Sequence, residues 1–173
     1  MKDLSNFQRV LLINQIAAKD AGSKEPTWQA AIQQQKVIES EWQEVKEAIE
    51  KRDITALRDG IADLLVTAYG MGAVLGFDCN DDMAAVTTAL LTRFDTTEED
   101  AGKTRAKYKE LGVVTYTELS IVDGAMWYVT KSIRDQHGIN NEFYPAGKFL
   151  KSHRFKTEVL EPLPELEEKL KAS

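Results

Sequence analysis

The chain has 173 residues and a formal net charge of -6, and a hydrophobic share of 43% is enough for a substantial core. That length fits one domain, and the acidic balance excludes a nonspecific nucleic-acid binder, which needs a dominant basic field to draw in a polyanion. The single cysteine rules out an intramolecular disulfide framework, and Met1-Lys-Asp-Leu-Ser-Asn6 lacks the apolar core of a signal peptide, so a cytoplasmic setting is expected.

Phe7, Val10, Leu11, Ile13, Ile16 and Ala17 predict a first amphipathic helix, ended before the polar loop Asp20-Ala-Gly-Ser-Lys-Glu-Pro-Thr27. From Thr27 to Arg52 there is no Gly or Pro, which predicts one long second helix beginning at the Pro26-Thr27 signal. At about 100° per residue, Ile38, Trp42, Val45 and Ile49 fall in a narrow arc, the expected core stripe. Glu41 and Glu44 lie beside that stripe in a sector shared with Val37 and Ala48, whereas Glu39, Lys46, Glu47 and Glu50 point away.

A short turn at Arg52-Asp53 leads to a third helix over Ile54 to Gly76, apolar on nearly every side after Ile61, in which Asp63 is the only charge. The i, i+4 spacing puts Asp59 and Asp63 on one face, with Gly70 near the same meridian leaving room for a close approach. Asp63 is expected to be buried. A carboxylate there must be paired, hydrogen-bonded, protonated or metal-bound, and no Lys or Arg lies within Ile61 to Gly76 to neutralise it. Two helix-borne carboxylate pairs of hard oxygen donors suit Mg²⁺ or Mn²⁺ better than Zn²⁺, for which only Cys79, His137 and His153 are on offer. Asp63 and three glycines interrupt the longest apolar stretch, so no membrane span is expected.

Asp78-Cys-Asn-Asp-Asp82 reads as a connection with capping residues before a fourth helical stripe, Met83, Val86, Leu90, Leu91 and Phe94, with Arg93 near its end. Thr96-x-x-Glu99 is a capping-box pattern for a fifth helix, carried by Ala101, Thr104, Tyr108 and Leu111 to a stop at Gly112. The period then changes. Val113 to Leu119 and Ala125 to Ile133, joined at Asp123-Gly124, predict a β-hairpin that either covers one end of the core or acts as a lid. Pro145-Ala-Gly-Lys-Phe-Leu-Lys-Ser152 brings Lys148 and Lys151 near Arg154, either as a solvated surface or as a mobile segment closing over phosphates. Beyond Glu158 the chain reads as an arm followed by a short helix or a frayed tail.

Ile38-Glu-Ser-Glu-Trp-Gln-Glu-Val-Lys-Glu-Ala-Ile49, followed by Asp59-Gly-Ile-Ala-Asp-Leu-Leu-Val-Thr-Ala-Tyr-Gly70, resembles the all-α nucleoside triphosphate pyrophosphohydrolases, the group of MazG, the dimeric dUTPases and phosphoribosyl-ATP pyrophosphohydrolase. Thr92-Arg-Phe-Asp95, Tyr108-x-x-x-Gly112 and Gly147-Lys-Phe-Leu-Lys-Ser152 look most like bacteriophage MazG-like proteins, and the resemblance covers roughly Gln33 to Phe155. It implies a mainly α, MazG-like helical bundle with a small C-terminal β-hairpin: one domain over 1–155, with a helical core at about 5–112, the hairpin and basic loop at about 113–155, and a tail at 156–173.

The resemblance also implies a homodimer or homotetramer in the cytoplasm, that of the host if the chain is of phage origin, cleaving (d)NTP to (d)NMP and pyrophosphate in nucleotide-pool control. Glu41, Glu44 and Asp63 would be catalytic metal ligands, with Asp59 as a fourth, and Mg²⁺ the cofactor. Arg93, Lys148 and Lys151 would contact the phosphate tail. Two departures stand out: Gly60 occupies the place of an acidic residue in many relatives, and Leu90 the place of an Asn, so base and sugar preference do not carry over. The alternative is a non-catalytic helical oligomer binding a nucleotide or protein partner, its carboxylates serving as interhelical ion-pair acceptors.

Overall fold

The computed structural model describes residues 3–18, 25–157 and 160–173. Most of the expected loop from Asp20 and the start of the arm at Glu158 lie outside them. The elements are α1 (Asn6–Ala18), α2 (Trp28–Lys51), α3 (Ile54–Leu75), α4 (Cys79–Leu91), α5 (Glu98–Glu110), β1 (Thr115–Val122), β2 (Ala125–Ser132), β3 (Gln136–His137), β4 (Phe143–Tyr144) and α6 (Pro164–Lys171). They form two compact units, Met1–Met83 with Leu160–Ser173, and Ala84–Val159, with α4 spanning the division. The fold is mainly helical with a small two-stranded sheet.

In the first unit local chemistry fixes the helix ends. Thr27 Oγ1 accepts from the Ala30 N–H at 3.1 Å to start α2, and Arg52 in the left-handed region ends it. Asp53 Oδ1 then accepts from the N–H groups of Thr55 and Ala56, and Gly76, at φ 83°, ends α3. A two-residue connection leaves α2 and α3 no option but to pack antiparallel. Glycines set how closely they approach: a Cβ on Gly60 would lie 3.1 Å from Val45 Cγ2, and one on Gly70 would lie 2.6 Å from Gln34 Nε2. The room foreseen at Gly70 is thus taken by Gln34, whose Nε2 donates to the Thr67 carbonyl at 2.8 Å.

The buried stripe of α2 is Ala31, Val45 and Ala48. This corrects the expected core arc: Val45 is buried, but Trp42 is 49% and Ile49 55% exposed. The helix has turned its small residues, and with them the Glu41 sector, toward α3, because close helix contact favours Ala over Trp. Leu170 of α6 packs with Ala31 and Leu75, so the C-terminal segment ends in an anchored helix.

In the second unit the cap of α5 is Thr97, one residue later than the capping box expected at Thr96, and its Oγ1 accepts from the Asp100 N–H. α4 begins at Cys79, so the expected connection through Asp82 is the helix's first turn, and Phe94 lies beyond its end. Ala101, Thr104 and Tyr108 are buried as their spacing foretold. β1 and β2 pair antiparallel from Thr115–Ser132 to Val122–Ala125, turning at Asp123 and Gly124, both at positive φ. The far edge of β2 is not free. Asp95 exchanges backbone hydrogen bonds with Tyr128, and Gly147 to Leu150 bond to Thr130 and Ser132. The hairpin is therefore built into its unit, and so is the basic segment read either as a solvated surface or as a mobile lid: its Leu150 joins Tyr108, Val113 and Tyr144 in the core. The short β3–β4 ladder, Gln136–Tyr144 and His137–Phe143, was not foreseen, because two residues carry no readable period.

Candidate functional site

The contacts at Val45–Gly60 and Gln34–Thr67 fix the level of the two antiparallel helices. One turn back from Val45 and one forward from Gly60 bring Glu41 opposite the turn that carries Asp63. The electrostatics agree. Desolvation raises the Glu41 carboxyl above its ordinary value, and the charges of Glu44 and Asp63 raise it further. Asp59, one turn away beside Gly60, is not among the charges that act on Glu41.

Asp63 is exposed, which corrects the expectation of burial. Gly60, Gly70, Gly72, Ala73 and Leu75 are the buried residues of α3, while Ile61, Leu65 and Val66 on its other side face solvent. Helices α2 and α1 cover one side of α3 and leave the rest bare within the single chain, so an apolar sequence context did not mean burial. Among the described residues no Lys or Arg forms an ion pair with Glu41, Glu44, Asp59 or Asp63. Nor, among those residues, is any group of three or more His, Cys, Asp or Glu side chains gathered tightly enough to hold a metal ion as it stands. The geometry is a carboxylate set close enough for Glu44 and Asp63 to repel Glu41 and, among the described residues, without a countercharge.

The basic candidates lie in the second unit and do not act alike. Lys148 Nζ is 3.3 Å from Glu142 Oε1 and sits 4.9 Å from the Tyr144 ring centroid, so its charge is already matched. Arg154 is bound to Asp100 at 2.8 Å, away from the cluster expected of it. Lys151 Nζ and the Arg93 guanidinium instead both lie over Phe155, 4.7 and 5.3 Å from its centroid.

One buried carboxylate went unread in the sequence. Asp95 is 1% exposed and accepts from Ser152 Oγ through one oxygen and from Thr104 Oγ1 at 2.7 Å through the other. Tyr108 Oη accepts from the Lys151 N–H at 3.0 Å, and the Ser152 N–H donates to the Arg93 carbonyl at 3.0 Å. The stretches Thr92–Asp95, Tyr108–Gly112 and Gly147–Ser152, scattered in sequence, are one knot in space. The signal that could have found Asp95 was an acidic residue set between a helix end and a capping threonine. No protein-family model matches the chain, and no curated protein and no solved structure matches it.

Proposed function

We propose that the chain is a Mg²⁺-dependent nucleoside triphosphate pyrophosphohydrolase that cleaves between the α and β phosphates, releasing a nucleoside monophosphate and pyrophosphate. One observation carries this reading: Glu41 repelled by both Glu44 and Asp63, with no Lys or Arg ion-paired to any of them among the described residues. Such a set is stabilised by a hard divalent cation, and oxygen donors on two helices fit Mg²⁺ or Mn²⁺. Glu41, Glu44 and Asp63 would hold it, with Asp59 as a fourth ligand through rotation of its exposed side chain. Bound there, Mg²⁺ would neutralise phosphate oxygens and lower the pKa of a water.

The chain's own part is to place these groups. A free carboxylate oxygen of Glu41 or Glu44 accepts the water's proton and orients it toward phosphorus. In the second unit Arg93 and Lys151 carry charge that no acidic side chain matches among the described residues, whereas Lys148 is matched to Glu142. The resemblance of the two carboxylate segments to MazG-like enzymes supports the same reaction. The test is a panel of ribo- and deoxynucleoside triphosphates incubated with Mg²⁺, with and without EDTA, reading pyrophosphate. EDTA-sensitive release from at least one is expected; no release from any member defeats the proposal.

A further inference from the structure

Three cations meet in the second unit where, among the described residues, no carboxylate is bonded to them. Arg93 follows α4, Lys107 lies on α5 and Lys151 lies in the segment along β2. Lys107 Nζ donates to the carbonyls of Lys151 and Ser152 at 3.4 and 3.3 Å, which ties it beside Lys151. Arg93 is held through its carbonyl by Ser152, and its charge acts on the Tyr108 hydroxyl that caps the Lys151 N–H. Lys103, Arg105, Lys131, Lys148 and Arg154 of the same unit each have an acidic partner. Arg93, Lys107 and Lys151 have none among the described residues, nor have the exposed Lys109, Arg134 and Lys156; what sets the three apart is that the contacts above tie them together.

Asp95 is the carboxylate nearest in effect, and it acts on Lys107 only through space, since Thr104 and Ser152 occupy its oxygens. Among the described residues the cluster is therefore short of negative charge. Burial and then the Lys151 charge make Lys107 easier to deprotonate, and Arg93 Nε is a buried donor with no acceptor among the described residues. An unpaired buried donor and crowded like charges both cost free energy, and a small oxyanion relieves both. A single carboxylate would offset one charge of three; a diphosphate group carries two or more and enough oxygens to reach several donors. Phe155 gives Arg93 and Lys151 a common platform through its ring face.

We propose that Arg93 and Lys151, which share the Phe155 ring, together with Lys107, bonded to the Lys151 carbonyl, form a binding site for a diphosphate group that works without a metal ion. The site needs none of the carboxylates of α2 and α3, so it stands whether or not the hydrolase reading does. It also replaces Lys148, matched to Glu142, with Lys107, which the sequence did not single out.

Calorimetry on the full chain in EDTA at low salt, with inorganic pyrophosphate, orthophosphate and a nucleoside triphosphate in separate titrations, tests it. Pyrophosphate is expected to bind saturably and at least about tenfold more tightly than orthophosphate. Equal affinity for the nucleotide means that the site reads phosphates alone, and tighter nucleotide binding means that it takes a nucleotide's tail; both support the proposal. Lys151→Gln and Lys107→Gln should each weaken pyrophosphate about tenfold or more, whereas Lys148→Gln should leave it within twofold. Lys151 is exposed and its side chain makes no hydrogen bond to the described residues, so Lys151→Gln should fold, with a ligand-free melting temperature equal to or above that of the parent. No saturable binding of either diphosphate-bearing probe overturns the site, as does an equal loss in Lys148→Gln or unchanged binding in Lys151→Gln.

Discussion

Asp63 and Asp95 divide the two tasks a carboxylate can have here. Asp63 stands exposed on α3, adding its charge to those that raise the Glu41 carboxyl. A folded-state pKa raised above the unfolded value means that the native state holds the proton longer. In the metal-free protein this contribution is therefore lost as pH rises from about the ordinary carboxylate value, 4.5, through the raised one. Asp63→Asn should flatten that part of the pH–stability curve, leave the metal-free protein as stable or more so, and lower Mg²⁺-dependent pyrophosphate release by about two orders of magnitude or more. Thermal melts between pH 4 and pH 8 in EDTA, beside a turnover assay in Mg²⁺, read both effects; unchanged turnover removes Asp63 from the site.

Asp95 has the opposite character. Its oxygens satisfy Thr104 and Ser152 inside the second unit, so Asp95→Ala strands two buried hydroxyls and opens a polar cavity. Hydrogen bonds to a charged group contribute about 1.5–3 kcal/mol each, and a net loss of about 3 kcal/mol is expected in urea melts.

Among the helices, glycine positions show which contacts are tight. A Cβ on Gly72 in α3 would meet Cys79 Sγ and lie 2.8 Å from the Phe77 carbonyl, a backbone atom that cannot swing aside. Gly102, inside α5, has only the far end of Arg105 near it, at 3.7 Å. Gly72→Ala should therefore destabilise by about 1–3 kcal/mol despite its better helix propensity, while Gly102→Ala should stabilise by about 0.5–1 kcal/mol. Chemical denaturation of both variants checks the pair. The same opposite signs would not arise if α3 could slide away from the first turn of α4.

For the whole chain, the first unit presents more apolar surface than its own helices cover. Trp42 and Ile49 on α2, and Ile61, Leu65 and Val66 on α3, are all exposed. Patches of this kind mark association surfaces, and symmetric pairing of two hairpins into a helical bundle is the economical way to cover them. A homodimer or homotetramer is expected in light scattering at micromolar concentration, and Leu65→Glu should shift it toward monomer. A monomer mass for the parent chain would refute the assembly. Among the described residues no single helix is long and apolar enough to cross a membrane.

Local chemistry left its mark on the chain itself. Thr27, Asp53 and Gly76 set the limits of α2 and α3, Asp123-Gly124 made the hairpin turn, and the Ala101–Thr104–Tyr108 spacing chose the buried side of α5. Each of these depends on residues within about one turn of one another, where spacing is geometry. The carboxylate pairing of Glu41 with Asp63 was half visible in the same way, through two helices and a two-residue connection. What no periodicity could supply was which side of α2 meets α3, the exposure of Asp63, the joining of Asp95 to Ser152, and the company Lys107 keeps with Lys151. Those rest on partners 20 to 60 positions away and on how many layers cover a helix, and only packing in three dimensions selects among faces that are all nearly as apolar as one another.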